Sequence, residues 1–554
     1  MPTPTLREAS IDTLPPIHPG ERYRVVWFKR DLRAHDHAAL TEAARVGPVL
    51  CLYVAEPELW RQPETSRMQA RFVSASLRDL DAALRALGGR LEIVAGSAVE
   101  VFARLHAHAP MAAIHAHEET GGAWTFARDR AVARWCRRHG VAFVEHAQTG
   151  VVRGLRERDG WSRRWNRFMA QPLEQACALA ARSLPWTRAT VDLVALAAHA
   201  DDAAEAQAGG REAGLHTLRT FLDERVAGYR GGISSPLSAP TACSRLSPYL
   251  AQGCLSMREV VQATARVLDD KNLEARTRQG LRAFIGRLHW HCHFMQKLES
   301  EPEIETHNFH RGFDGLREHE WNAAHFEALI HARSGWPMVD ACVAMLRHSG
   351  WLNFRMRAML VSVAAFPLWL HWRPFGLWLA RQFVDYEPGI HWSQLQMQSG
   401  TTGINTARVY SPVKQAQDHD PDGAFVRRWL PYMRDVPDTH LFEPWQWRCG
   451  DGERLPPRPV VDLRAATQAA KQLYYARRRA PGMRETAEAV LEKHGSRRRP
   501  AGQPRRSASG DDGPRRATAR SSTPRSSTLP AADSKAARKG LVRPKDDRQL
   551  DLPW

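Results

Sequence analysis

Between Arg24 and Gln148 the chain sets short unbroken apolar runs between longer stretches of helical period. The first run, Val25–Phe28 in RVVWFKRDLRAHDHAAL, is continuous rather than alternating, as expected of a strand covered on both faces. Four similar runs follow in VGPVLCLYVAEP, RLEIVAG, MAAIHAHEE and VAFVEHAQ. Between the second and third lies ARFVSASLRDLDAALRALGG, an amphipathic helix closed by Gly88 and Gly89. Strands alternating with helices predict a doubly wound parallel α/β domain over residues 22–150. No GxGxxG follows the first strand, so the usual dinucleotide fingerprint is missing.

Residues 151–214 read as a linker with short helices, among them the Ala-rich stretch 193–210. From residue 215 to 480 the period is helical and no repeat stands out, which predicts an all-α second domain. Residues 1–21 read as a flexible leader and 481–554 as a basic tail too poor in large apolar side chains to fold alone. The net charge is +18, from 78 basic and 60 acidic residues; 20 of the former and 9 of the latter lie from Arg477 onward. Such a tail suits nucleic acid through counterion release, a protein partner, or solubility alone. No charge-free apolar run reaches the roughly 18 residues of a membrane span. The start, MPTPTLREASIDTLPP, lacks an apolar signal core, so a cytoplasmic protein is expected. Eight cysteines without a CxxC pair argue against a disulfide framework or zinc ribbon. Nineteen tryptophans invite an aromatic ligand site, a base-stacking surface or an electron path.

Four stretches of the helical half carry candidate chemistry. CSRLSPYLAQGCLS, residues 243–256, gathers Ser244, Arg245 and Ser247 before a helix; the group suits an anion, and equally an N-cap with an incidental Arg. LRAFIGRLHWHCHFMQKLE holds Arg287 and places His289 and His293 one turn apart, a spacing that serves a metal or a packed helix. GWPMVDACVAMLRHSGWLNFRMRAMLVS contains Arg357, and FVDYEPGIHWSQLQMQSGTTGINTARVYSPVKQAQDHDPDGAFVRRWLP contains Asp385; a buried pair of the two would be structural or functional.

Taken in order, these blocks and the RVVWFKRDLRAHDHAAL start closely resemble the photolyase/cryptochrome family over about residues 22–450, the SPVKQAQDHDPDGAFVRRWLP block especially the DASH cryptochromes. The resemblance implies an α/β domain, with an antenna pigment of folate or deazaflavin type in some members, and a helical domain that binds FAD. It implies a light-driven lyase: excited reduced flavin lends an electron to a pyrimidine dimer flipped out of UV-damaged DNA, and the electron returns when the dimer splits. A blue-light photoreceptor without repair activity is the alternative, and a DNA-binding flavoprotein without light function a third reading. A monomer is expected.

By the same resemblance, Tyr229, Ser244, Arg245, Leu246 and Ser247 match the positions that bind the FAD pyrophosphate, and Arg287 an Arg beside it. Cys243 stands where Thr is common, exchanging a hydroxyl for a weaker thiol donor. Arg357 and Asp385 match an ion pair over the flavin ring, and Glu387 a second acid. Trp372 and Trp321 match the middle and outer members of a tryptophan electron chain. The segment from Asp385 to Gly400 is about two residues short, so the innermost member falls on Trp392, Ser393 or Leu395. His391 is the candidate to face flavin N5, where Asn is usual and where a His could hold a proton.

The lesion side departs from the family. Ala283 and Gly286 replace a Glu and a Trp; Phe354 and Ala358 replace an Asn and a Met, with Arg355 kept; and the Trp that stacks on the dimer is replaced near Met397. Trp290, Phe354, Arg355, Met397 and Gln415 remain as candidate DNA-contacting residues. After residue 300 only Cys342 and Cys449 occur, which excludes the iron–sulfur branch.

Overall fold

Five short strands form one parallel sheet: β1 (Tyr23–Phe28), β2 (Val49–Ala55), β3 (Leu91–Ala95), β4 (Met111–His117) and β5 (Ala142–His146), in the order β3-β2-β1-β4-β5. Between them run α1 (Ala38–Val46), α2 (Arg67–Ala86), α3 (Ala98–His108) and α4 (Ala123–His139). The computed structural model describes residues 14–186, 190–404, 406–447 and 456–494. Along β1 the side chains alternate between two cores. Val26 and Phe28 pack with Leu40, Phe72 and Leu77, whereas Val25 and Trp27 pack with Phe102, Leu105 and Trp135. Burial of all seven β2 residues explains why its sequence is an unbroken apolar run. The strand order reverses between β1 and β4, the crevice where doubly wound sheets present loops to ligands.

The rest of the chain is helical. The helices that shape the site are α5 (Trp161–Met169), α6 (Ser247–Ala251), α7 (Ala275–Ser300), α8 (Pro337–Ser349), α9 (Phe354–Ala365), α10 (Trp372–Arg381), α11 (Pro388–Ser399) and α12 (Pro412–His419), with α13 (Leu463–Arg478) and α14 (Met483–His494) after them. Leu281, Phe284, Leu288 and Met295 of α7 join the same apolar core as Val26 and Phe28. A second core, with Trp336, Trp351, Trp372 and Trp392, lies among α8 to α11. Helices α7 and α11 cross closely because Gly389 carries no side chain: a Cβ there would stand 2.6 Å from Met295 Cα.

Two expectations are corrected. The Ala-rich stretch 193–210 is helical only at Leu193–Leu196, while α5 earlier in that linker buries Trp161, Trp165 and Met169 at helical spacing. The segment expected as tail from residue 481 begins with α14, because Met483, Val490 and His494 fall on one face and are buried. His494 Nε2 meets Glu301 Oε2 at 2.6 Å, tying that face to α7. The rest of the expected tail, 495–554, and residues 1–13 of the expected leader lie outside the described residues. No helix among the described residues is long and apolar enough to cross a membrane.

Gly389→Val is expected to force α7 and α11 apart, costing about 1–3 kcal/mol of stability and lowering the thermal unfolding midpoint; an unchanged midpoint would refute the close crossing.

Candidate flavin site

Ser244, Arg245 and Leu246 lead into α6, with Arg245 in the left-handed backbone region at φ 61°. Arg225 donates to the carbonyls of Cys243 and Ser244, holding this turn open. The Arg245 guanidinium lies 3.9 Å from the Trp351 ring centroid, and its Nε donates to Gln207 Oε1 at 3.0 Å. Tyr229 is buried, and the charge of Arg287 acts on its phenol. The charges of Arg245, Arg357, Arg287 and Arg225 all act on Cys243, yet burial outweighs them and pushes its thiol up to about 12. Cys243 is therefore a neutral donor among guanidiniums rather than a thiolate.

Arg357 Nη2 donates to Asp385 Oδ2 at 2.8 Å, its Nε to the Leu352 carbonyl at 2.6 Å, and its guanidinium lies 3.8 Å from the Phe383 centroid. The other carboxylate oxygen of Asp385, Oδ1, is buried without a hydrogen-bond partner. Glu387, expected to serve the cofactor, has both oxygens on Arg30, at 3.1 and 3.0 Å. Arg30 also donates to the carbonyls of Ala251 and Tyr386. Burial pushes the Glu387 carboxyl up to about 7, against the pull of Arg30. His291, on the face of α7 turned to this pair, is held down at about 4 by burial and then by Arg30.

Of the residues competing for the inner electron position, Trp392 is the one that meets Trp372, with ring centroids 5.9 Å apart. Gly376 permits this: a Cβ there would stand 2.8 Å from the Trp392 ring and 2.6 Å from Leu395 Cδ1. Trp372 Nε1 donates to Asn308 Oδ1 at 2.8 Å. Trp321 is 37 % exposed and rests on Phe326 instead. Burial holds His391 down at about 4, so its ring is neutral near pH 7; Nε2 donates to the Gly376 carbonyl at 2.9 Å and Nδ1 keeps a lone pair. At the rim, Arg287 lies 5.2 Å from the Trp290 ring and 5.8 Å from that of exposed Phe354. Arg355 follows on the first turn of α9, Gln415 is buried on α12, and Met397 sits half-buried on α11. A Cβ on Gly286 would meet nothing within 4 Å, so the thinned wall is open space.

Against this geometry, residues 284–476 match the family model for the FAD binding domain of DNA photolyase, and residues 24–155 that for DNA photolyase. The chain belongs to the photolyase/cryptochrome family. A deoxyribodipyrimidine photo-lyase of Vibrio cholerae is 27 % identical over 81 % of this chain and 99 % of its own length. Cryptochrome DASH of Gloeobacter violaceus is also 27 % identical, over 82 % of this chain and 95 % of the relative. An archaeal photolyase from Sulfolobus tokodaii, solved with two FAD molecules, superposes with a TM-score of 0.68 at 25 % identity, covering 82 % of this chain and all of its own. A class III photolyase from Agrobacterium tumefaciens shares the fold, with a TM-score of 0.71 at 23 % identity over 85 % of this chain and all of its own.

The residues present fit FAD, the cofactor of this photolyase domain. Asp385 pairs with Arg357 and its charge also acts on Arg245, while the contacts of Arg225, Arg245 and Arg287 are to carbonyl, amide and aromatic groups, a set of guanidiniums suited to a pyrophosphate. The orphaned Asp385 Oδ1 is an acceptor awaiting a donor. His289 reaches Ser162 and His293 reaches Arg158, and both pack on Trp161. Asp31, His37 and His117 do cluster, buried, near the switch point. Asp31 Oδ2 already accepts from His37 Nε2 at 3.0 Å and His117 Nδ1 at 2.8 Å, and His37 Nδ1 accepts from Leu40 N, so His37 keeps no lone pair for an ion.

Sequence reasoning missed Arg30 and His291, whose partners lie far away in the chain, and Arg225, whose acceptors Cys243 and Ser244 stand 18 and 19 residues on. It also missed the buried carboxyls Glu64 and Glu305, which lie together beside Gly122. Burial and then Glu305 push Glu64 up to about 7. A carboxyl raised in the fold loses stability as pH climbs from its unfolded value towards 7. Glu64→Gln is therefore expected to match the parent near pH 5 and exceed it at pH 8 by about 1–3 kcal/mol in urea unfolding; parallel curves would refute it. Arg357→Leu should reduce FAD retention on gel filtration at least tenfold. Adding Asp385→Asn should restore thermal stability by removing the stranded charge, without restoring FAD.

Proposed function

We propose that this protein is a light-driven flavoenzyme that splits UV-induced pyrimidine dimers in DNA. The observation that carries the reading is the continuity of one basic, aromatic surface from the candidate flavin site to the exterior. The charge of Arg287 acts on Tyr229 of the phosphate side, and its guanidinium lies 5.2 Å from the ring of half-buried Trp290 and 5.8 Å from that of exposed Phe354. Bound FAD supplies light absorption and one-electron chemistry. Arg245, Arg287 and the turn at Ser244 and Ser247 orient its phosphates, and Cys243 adds a weak donor. Arg357 sets a fixed positive charge beside the ring, and Asp385 holds Arg357 in place while offering Oδ1 as an acceptor. Neutral His391 offers Nδ1 as a proton acceptor, and Trp392 and Trp372 make a buried aromatic path to the cofactor.

Trp290, Phe354, Arg355, Met397 and Gln415 are the candidate contacts to DNA. A groove of about 1240 Å³ beside the start of α12, with Trp445, Arg458, Arg464, Lys471 and Tyr475, adds charge and rings suited to a nucleic-acid backbone. The open space at Gly286 favours a second reading, a blue-light photoreceptor that binds no dimer. The chain's relatives include proteins named photo-lyase and proteins named cryptochrome, which accommodates both.

The test is repair of an oligonucleotide carrying one defined lesion, cyclobutane dimer or (6-4) product, under blue light with reductant and in darkness. Light-dependent restoration of either lesion is expected; none from FAD-replete protein that photoreduces would transfer the assignment to the photoreceptor. Gly286→Trp is expected to tighten binding of the lesion strand by about 1–3 kcal/mol, one stacking contact, in a fluorescence-anisotropy titration; unchanged affinity would place the lesion elsewhere.

A further inference from the structure

Helix α13 borders the groove of about 1240 Å³. One face of the helix is fixed, because Ala470 and Tyr474 pack with Phe313 and Phe366. The groove side carries Arg464, Gln468, Lys471 and Tyr475, spaced three or four residues apart, with Arg479 at the C-cap. That spacing sets them on one side of the helix, in a stripe about 22 Å long at the α-helical rise. Trp445, Gln446 and Arg458 also line the groove, with Ser411 and Val413 at the start of α12. None of the residues around it belongs to the candidate flavin site.

Little of the charge in this groove is neutralised. Among the described residues none of Arg458, Arg464, Lys471 and Arg479 forms an ion pair. The acids of the groove are Glu443 and Asp462, and Asp462 Oδ1 is engaged in capping α13, accepting from Ala465 N at 2.6 Å. Four cations against two acids leave an excess that attracts an anion. Cations spread along a helix face suit an anion that repeats. The rings decide which one. Trp445 and Tyr475 are half-buried among these cations. Such rings suit a strand whose bases are free to stack, whereas a duplex keeps its bases in its own stack. Gln446, Gln468 and Gln472 add amides that can meet base edges. An acidic peptide would use the cations and leave the rings idle.

We propose that this groove is a second DNA site, which holds an unpaired strand whether or not the strand carries a lesion. The proposal rests on the DNA reading above, but it needs neither light nor flavin. Phosphates lie along Arg464, Lys471 and Arg479, and bases stack on Tyr475 and Trp445. The two sites share α12: Ser411 and Val413 line the groove, and Gln415, a candidate DNA contact, follows on the same helix. A strand gripped in the groove stays on the protein while the lesion side is empty.

The experiment is fluorescence anisotropy in darkness, on FAD-loaded full-length protein, with a lesion-free oligothymidylate of about 12 nucleotides. Tyr475→Ala is expected to weaken binding at least fivefold, and Tyr475→Phe, which keeps the ring, to bind like the parent. Arg464→Ala and Lys471→Ala, both at exposed positions, should each make the dependence of log affinity on log salt shallower by about 0.7. FAD content and circular dichroism should be preserved in all four. Hydrogen exchange should slow in α13 when the strand is added. Binding and salt dependence unchanged in Tyr475→Ala, Arg464→Ala and Lys471→Ala, with slowing confined to the segment around Phe354, would overturn the groove and leave the repair reading intact. A duplex of the same length that binds as tightly would overturn the preference for an unpaired strand, and tighter binding of the matching oligouridylate would overturn the assignment to DNA. Failure of light-dependent repair alongside the expected strand binding would sink the lyase reading and leave this site standing.

Discussion

One guanidinium joins the two halves of this fold at the candidate site. Arg30, two residues beyond the end of β1, donates to the carbonyl at the end of α6, to the carbonyl of Tyr386, and to both oxygens of Glu387 at the start of α11. The sheet, the phosphate-side turn and the loop that carries Asp385 are thereby held in one register. A bidentate Arg–carboxylate pair is both directional and strong, and Glu387 is buried, so its carboxylate has no solvent as a substitute for Arg30. Everything that the site asks of Asp385, Arg357 and Trp392 depends on α11 starting where Arg30 holds it.

Burial then decides which groups carry charge. The arginines around Cys243 remain cationic, while the histidines nearest the pocket, His291 and His391, are held neutral because desolvation outweighs their neighbours. Positive charge is confined to planar groups that cannot titrate away, which suits a phosphate-bearing ligand. Neutral imidazoles beside them keep a proton acceptor available without adding to the repulsion.

Close approach is the second constraint. Gly389 lets α11 cross α7 at backbone distance, and Gly376 lets Trp392 reach Trp372. Both glycines exchange side-chain volume for proximity. Of the positions that the spacing left open, Trp392 is the one whose ring meets Trp372.

The chain alone carried the strands, their parallel sheet and the family, because burial on both faces leaves unbroken apolar runs and because the site blocks are local in the chain. It also placed Arg357 opposite Asp385 and singled out Trp372. It took the folded contacts to show that Glu387 serves Arg30, that His289 and His293 pack on Trp161, that the Trp392 ring meets Trp372, and that α14 folds against α7. Each of these turns on contacts between segments more than a hundred residues apart, or on which face of a helix meets its neighbour. Period and composition report how much of a residue is buried, and the identity of its partner emerges only when the helices cross.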